Sequence, residues 1–200
     1  MSRYTGPKCR LCRREGTKLY LKGSKCEGEK CTFTKKSQAP GQHGTSRRQP
    51  SEYGKQLREK QKAKRIYGVM ERQFGKYISR ALKSKGVTGE VLIQELESRL
   101  DNLVYRSGFA VSRPQARQLI RNGLFTINGH PATIASQQVK VENIIKPISF
   151  EKIHLREGFV LPDWLEANVK EKYVKLSRLP TLNDFQEKID VSLITEFYSR

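Results

Sequence analysis

Four cysteines lie within a span of 23 residues, as Cys9-x2-Cys12-x13-Cys26-x4-Cys31. Two close pairs separated by a loop suit a tetrahedral ion, because each pair spans adjacent corners and the loop carries the second pair over the first. Ligation converts thiols to thiolates, and Lys8, Arg10, Arg13, Arg14, Lys25 and Lys30 beside them would offset the negative charge that results. The start, Met1-Ser2-Arg3-Tyr4, has no apolar secretory core, so a reducing compartment is expected, where disulfides are disfavoured. The spacing therefore predicts one structural Zn2+ on Cys9, Cys12, Cys26 and Cys31. A 4Fe-4S cluster uses the same ligand set and stays open as the alternative. Four thiolates leave no coordination position for a substrate, so the role is structural.

The second chemistry is cationic. The 200 residues carry 39 Lys/Arg against 20 Asp/Glu, a formal charge of +19. Such an excess excludes a neutral small-molecule substrate as the default and points to a polyanion. The charge is concentrated early: residues 1–65 hold 19 Lys/Arg against 5 Asp/Glu. A membrane surface would need basic residues interleaved with large apolar ones on one helical face, and residues 1–65 have none. Phosphate-directed nucleic-acid binding with a steep salt dependence is the expectation.

A helix starting after Ser51 and running to about Tyr67 carries Lys55, Arg58, Lys60, Lys62, Lys64 and Arg65 as a second basic surface. Further along, Ser112 should cap a helix containing Arg113, Gln115, Arg117 and Arg121. At 100° per residue the three arginines share an arc of roughly 80°, a row of guanidinium forks suited to a line of phosphates. Arg117 and Arg121 have no Glu four residues earlier to pair with, which favours contact with phosphates over a solvated face. With the preceding stretch Glu97 to Arg106, which adds Arg99 and Arg106, this makes a helix-turn-helix pair.

These residues need elements to position them. Residues 1–50 lack apolar periodicity and are punctuated by Gly and Pro, so a metal staple must replace a core. After Gly68, Phe74, Tyr77, Ile78, Ala81 and Leu82 predict an amphipathic helix. Leu92, Leu96, Leu100 and Leu103 predict one helix from about Glu90 to a stop at Gly108. Leu124 to Ile127 reads as a strand entering an Asn128-Gly129 hairpin, and Val139 to Val141 and Ile144-Ile145 as further short strands. Trp164, after Pro162, reads as a core anchor.

Catalysis is not expected. His43, His130 and His154 fall in separate segments, with His43 read as a turn residue touching backbone or phosphate. There is no Gly-x4-Gly-Lys-Ser/Thr phosphate loop. Glu95, Glu97 and Asp101 resemble an acid pair in spacing but are better partners for Arg99 and Arg106.

The chain resembles, end to end, the bacterial small-subunit ribosomal protein S four family. The resemblance rests on Arg3-Tyr4 with Gly6-Pro7, the four cysteines of its zinc-bearing members, Ala39-Pro40-Gly41-Gln42-His43-Gly44, Leu57 to Lys62, and Arg65-Ile66-Tyr67-Gly68 with Glu71-Arg72-Gln73-Phe74. It continues through Glu97 to Arg106, Arg113 to Ile120, Asn128-Gly129, Pro162-x-Trp164-Leu165 and Glu196 to Arg200. Pro114, Asn122 and Gln137 are local departures from the family pattern. The resemblance implies a cytoplasmic, non-enzymatic component of the small ribosomal subunit that binds 16S ribosomal RNA early and nucleates assembly of the subunit body. It implies contact with ribosomal proteins S three and S five at the messenger RNA entrance, where Arg47 and Arg48 would touch incoming messenger, an effect on translational accuracy and, in some bacteria, repression of its own operon. A zinc-stapled regulatory or RNA-modification factor sharing the same RNA-binding module is the alternative.

The resulting fold is α+β in two lobes. A basic, metal-stapled segment (1–50) joins a helical domain (51–89) onto which the tail (175–200) packs back. An RNA-binding domain (90–174) holds the helix pair and a small antiparallel sheet.

Overall fold

Ser51 begins the helix it was expected to cap: its Oγ accepts from the Gly54 N–H at 3.2 Å, and helix Glu52–Tyr67 follows. The helix ends where Gly68 turns left-handed (φ 61°), letting the Val69 N–H reach the Lys64 carbonyl at 2.9 Å. In this computed structural model, which describes residues 3–45, 49–153, 155–156, 158–168, 172–185, 187 and 189–199, the chain divides into two units. Unit 1 is Met1–Gly89 with Glu187–Arg200, and unit 2 is Glu90–Gln186. Arg47, Arg48 and His154 lie outside the described residues.

Unit 1 contains α1 (Cys9–Glu15), α2 (Ser24–Glu27), α3 (Thr32–Lys35), α4 (Glu52–Tyr67), α5 (Glu71–Lys83) and α9 (Val191–Tyr198). Phe74, Tyr77, Ile78 and Ala81 of α5 are buried at the spacing that predicted its inner face, whereas Leu82 is exposed. Asp190 caps α9 by accepting from the Ser192 and Leu193 amides. Phe197 and Tyr198 then carry α9 onto α4 and α5, with Phe197 5.5 Å from Tyr53 and Tyr198 6.3 Å from Phe74 between ring centroids. The tail returns later than expected. Lys175 and Leu176 still belong to a strand of unit 2, where Leu176 is fully buried, and the segment in unit 1 starts at Glu187.

Unit 2 joins helices to a five-stranded antiparallel sheet ordered β2-β1-β3-β5-β4. Its strands are β1 (Phe125–Ile127), β2 (His130–Ala132), β3 (Ile144–Pro147), β4 (Leu165–Asn168) and β5 (Tyr173–Leu176). Asn128 (φ 50°) and Gly129 (φ 83°) both take the left-handed backbone that a tight hairpin requires between β1 and β2. The core gathers Leu100, Leu103, Val104, Ala116, Ile120, Phe125, Ile145, Trp164, Val174 and Leu176, so Trp164 is the anchor its sequence position suggested.

Two further sequence expectations are corrected. The leucine repeat does not make one helix; α6 (Thr88–Glu97) and α7 (Leu100–Arg106) are separated by an extended Arg99 (ψ 137°). The break lets the first amides of α7 find distant acceptors: Leu100 N–H donates to the Gln137 carbonyl (2.9 Å) and Asp101 N–H to that of Ala135 (3.0 Å). Val139 to Val141 is not a strand either. Val139 is buried and its amide is taken by the Ser98 carbonyl at 2.9 Å, which fastens this loop to the helix break instead of to the sheet.

Candidate nucleic-acid interface and cysteine cluster

Cys9 and Cys12 lie on α1, Cys26 on α2, and Cys31 caps α3; Cys12, Cys26 and Cys31 are buried and all four are free thiols. Backbone donors face the sulfurs, as where the Lys22 N–H donates to Cys26 Sγ at 3.3 Å. Burial pushes the Cys12 thiol up, the Leu19 amide opposes it, and Cys26, Cys9 and Cys31 raise it further. Cys26 is also raised, chiefly by burial. Burial works in the same direction on Cys31, but the Thr34 and Phe33 amides outweigh it and hold this thiol below its ordinary value. Chemically the donor set fits a thiophilic ion; among the described residues, though, no three or more His, Cys, Asp or Glu side chains are arranged to hold a metal.

Glu15, at the end of α1, has a side chain only 1% exposed. It accepts from Arg58 Nη1 at 3.3 Å and from Arg65 Nη1, which ties α1 to α4. Burial nevertheless keeps the Glu15 carboxyl above the usual carboxylate range, against the pull of Arg65 and Arg58. The other cations of α4 are also engaged. Lys60 and Lys64 donate to Glu71 at 2.9 and 2.5 Å, Lys62 to Glu59 at 2.6 Å, and Lys55 to the exposed Glu52 at 2.7 Å. Burial would raise the Glu71 pKa, but hydrogen bonds from Lys64, Lys60 and Tyr198 push it down to about 2. Lys60 also sits over the Phe197 ring at 4.6 Å. The predicted second basic surface on α4 is thus largely an internal ion-pair system, because the carboxylates that neutralise it come from α1 and α5 as well as from α4.

The cysteine-bearing segment keeps most of its charge outside. Arg3, Arg10 and Arg14 are exposed, Arg13 donates to the Gln38 carbonyl at 2.8 Å, and His43 is exposed in the short 3-10 turn Gln42–Thr45.

In unit 2, α8 (Arg113–Arg121) starts at Ser112, whose Oγ accepts from the Gln115 amide, with Pro114 accommodated in the first turn. Its arginine row divides. Arg117 donates through Nε (3.1 Å) and Nη2 (2.6 Å) to Asp101, which also accepts from Arg99. Arg113 donates to Asn102 Oδ1 at 2.8 Å and stacks on Tyr105 at 4.6 Å. Asn102 in turn donates to Glu97, and Arg106 grips the same carboxylate at 3.0 and 2.8 Å. Arg99, Arg113 and Arg117 are buried, Gln115 accepts from the Val111 amide at 2.8 Å, and Arg121 alone of the row is exposed. The inference that Arg117 lacks an acidic partner is therefore corrected: its partner is sixteen residues upstream, on the helix that α8 packs against. Asn102 and the pairing of Asp101 with Arg117 escaped the sequence reading because a within-helix search does not cross to α7.

Residues 3–97 match the family described as ribosomal protein S4/S9 N-terminal domain, and residues 98–145 match the S4 domain. Relatives with the name small ribosomal subunit protein uS4 include one from Thermodesulfovibrio yellowstonii, 51% identical, and one from Acetivibrio thermocellus, 50% identical. A uS4A protein of Clostridium perfringens is 50% identical. Each comparison covers 100% of both chains. Helices α7 and α8 and the β1–β2 hairpin thus fall within the S4 domain match, and this chain belongs to the small ribosomal subunit protein uS4 family.

Proposed function

We propose that this protein is a non-catalytic component of the cytoplasmic small ribosomal subunit that binds 16S ribosomal RNA early in assembly and organises the subunit body. The observation that carries this reading is the separation of its cations. The cysteine-bearing N-terminal segment holds Arg3, Arg10 and Arg14 exposed, while the helix pair of unit 2 is fixed by internal pairs that give it a defined shape. A shaped, rigid surface in one unit and a dense positive field in the other suit a folded RNA junction better than any one base. Arg47 and Arg48 would meet messenger RNA at its entrance, beside ribosomal proteins S three and S five, and translational accuracy would be influenced there. Repression of its own operon is a further role consistent with RNA binding.

Cys9, Cys12, Cys26 and Cys31 would hold one zinc ion, or a 4Fe-4S cluster in its place. The burial of three of the thiols and the backbone amides facing them support this reading. The ion would supply the cohesion that the short helices α1, α2 and α3 lack.

The decisive experiment measures binding of the full chain to isolated small-subunit RNA, transfer RNA and duplex DNA over a salt series, with metal assayed per chain. Selective, steeply salt-dependent binding with one zinc per chain is expected. Equal affinity for all three polyanions would overturn the assembly role, and a metal-free chain with its first 45 residues intact to protease would overturn the staple.

A further inference from the structure

Helix α5 carries a charged face that no part of the functional reading uses. Counting 100° per residue, Arg72, Lys76, Ser79 and Lys83 fall within an arc of about 60°, on the side opposite Phe74, Tyr77, Ile78 and Ala81. All four are exposed, and Arg72, Lys76 and Lys83 make no ion pair among the described residues. The only carboxylate of the helix, Glu71, is turned to Lys60, Lys64 and Tyr198. The stripe extends for roughly 16 Å along the axis. Exposed Leu82 lies outside the arc, so the face has no apolar centre, and lysine is a residue that protein–protein interfaces tend to exclude. That composition favours a sugar-phosphate strand over an acidic protein as the occupant.

We propose that the outer face of α5, through Arg72, Lys76 and Lys83, is a further binding site for RNA phosphates. It rests on the assignment of the protein as a ribosomal RNA binder and adds a surface to it. A neighbouring residue makes the site testable without removing any contact. Gly75 flanks the stripe, and a Cβ built there meets nothing within 4 Å. A longer side chain is therefore free to project beside the arginine and lysines, and replacing glycine inside a helix improves helix propensity. Stability and binding are consequently uncoupled at this position.

The experiment compares the full-length wild type with Gly75→Gln, Gly75→Lys and Gly75→Glu in salt titrations against isolated small-subunit RNA, with thermal melting of each protein. All three variants should melt at or above the wild-type temperature. Gly75→Lys should bind more tightly than Gly75→Gln with a slope steeper by about one, Gly75→Glu more weakly, and Arg72→Ala, Lys76→Ala and Lys83→Ala should each lower the slope by about one. If the three Gly75 variants bind alike while Arg10→Ala and Arg14→Ala still lower the slope, RNA binding stands and the α5 site is overturned, leaving its face to solvent or an acidic protein. If the wild type itself binds every polyanion equally, the underlying assignment fails, and the α5 site with it.

Discussion

Helices α4 and α5 are consecutive, basic and similar in length, yet they use their cations in opposite ways. The lysines and arginines of α4 meet Glu15, Glu52, Glu59 and Glu71, and two of them, Lys60 and Lys62, are buried. Arg72, Lys76 and Lys83 of α5 face solvent. Net charge counted along a sequence is thus not the field available to a ligand; the difference is whether another element brings carboxylates against the basic face. The same contrast recurs inside α8, where Arg113 and Arg117 turn toward α7 and Arg121 does not.

The sharpest way to break this contrast is to remove the acid on which two buried arginines converge. Asp101→Ala leaves Arg99 and Arg117, 1% and 8% exposed, without their shared carboxylate. Loss of one member of a buried pair costs about 3–5 kcal/mol, so denaturant unfolding of the full chain should shift strongly. Arg121→Ala should leave the same midpoint in place. Equal midpoints for Asp101→Ala and wild type would show that the network holds no weight in the fold.

A smaller effect is expected at Glu15, whose partners Arg58 and Arg65 keep 31% and 22% of their side chains in water. Glu15→Ala should cost about 1–3 kcal/mol and expose the first 45 residues to protease, since the link from α1 to α4 is lost. Glu15→Gln should cost less, because burial already holds this carboxyl above its ordinary pKa. The sign follows: a carboxyl raised in the folded state favours folding at low pH, and that contribution fades as pH rises through the folded value.

Glu71 has the opposite sign. Held at about 2 against an ordinary 4.5, it favours folding above the ordinary value, and the contribution disappears as pH falls from 4.5 toward 2. Acid should therefore loosen the packing of α9 on α4 and α5, read as protease sensitivity near Tyr198, whose hydroxyl donates to Glu71 at 2.8 Å. Glu71→Gln should flatten this acid limb; an unchanged limb would mean that another carboxylate governs it.

What was legible in the sequence was local. Ser51, the Phe74 to Ala81 spacing and Asn128-Gly129 act through neighbours within a turn or two, and each produced the expected element. What was not legible depends on distant partners. The interruption between α6 and α7 exists because carbonyls of residues 135 and 137 accept the first amides of α7, and no apolar pattern around Leu96 and Leu100 encodes that. Similarly Val139 looks like a strand residue by type but is held by Ser98, and strand β5 extends past the expected boundary because Leu176 completes the sheet core. At the site, cysteine spacing and basic residue types were readable, whereas the engagement of Arg117 or Lys60 was not. Their acidic partners lie on other elements.

The finest distinction is within α8. Arg121 is exposed and a full helical turn beyond Arg117, so Arg121→Ala should lower the salt slope of RNA binding by about one while leaving stability unchanged. Arg117→Ala should do the reverse. It leaves Asp101 with Arg99 alone, so its main effect should be on unfolding, with a slope close to wild type once the variant is folded. Measuring both quantities on both variants separates a cation that shapes the surface from one that meets the phosphate. Should Arg117→Ala lower the slope as much as Arg121→Ala, the guanidinium that bonds Asp101 in the free protein must turn outward on RNA, and the internal pair would then be a resting state instead of a fixed strut.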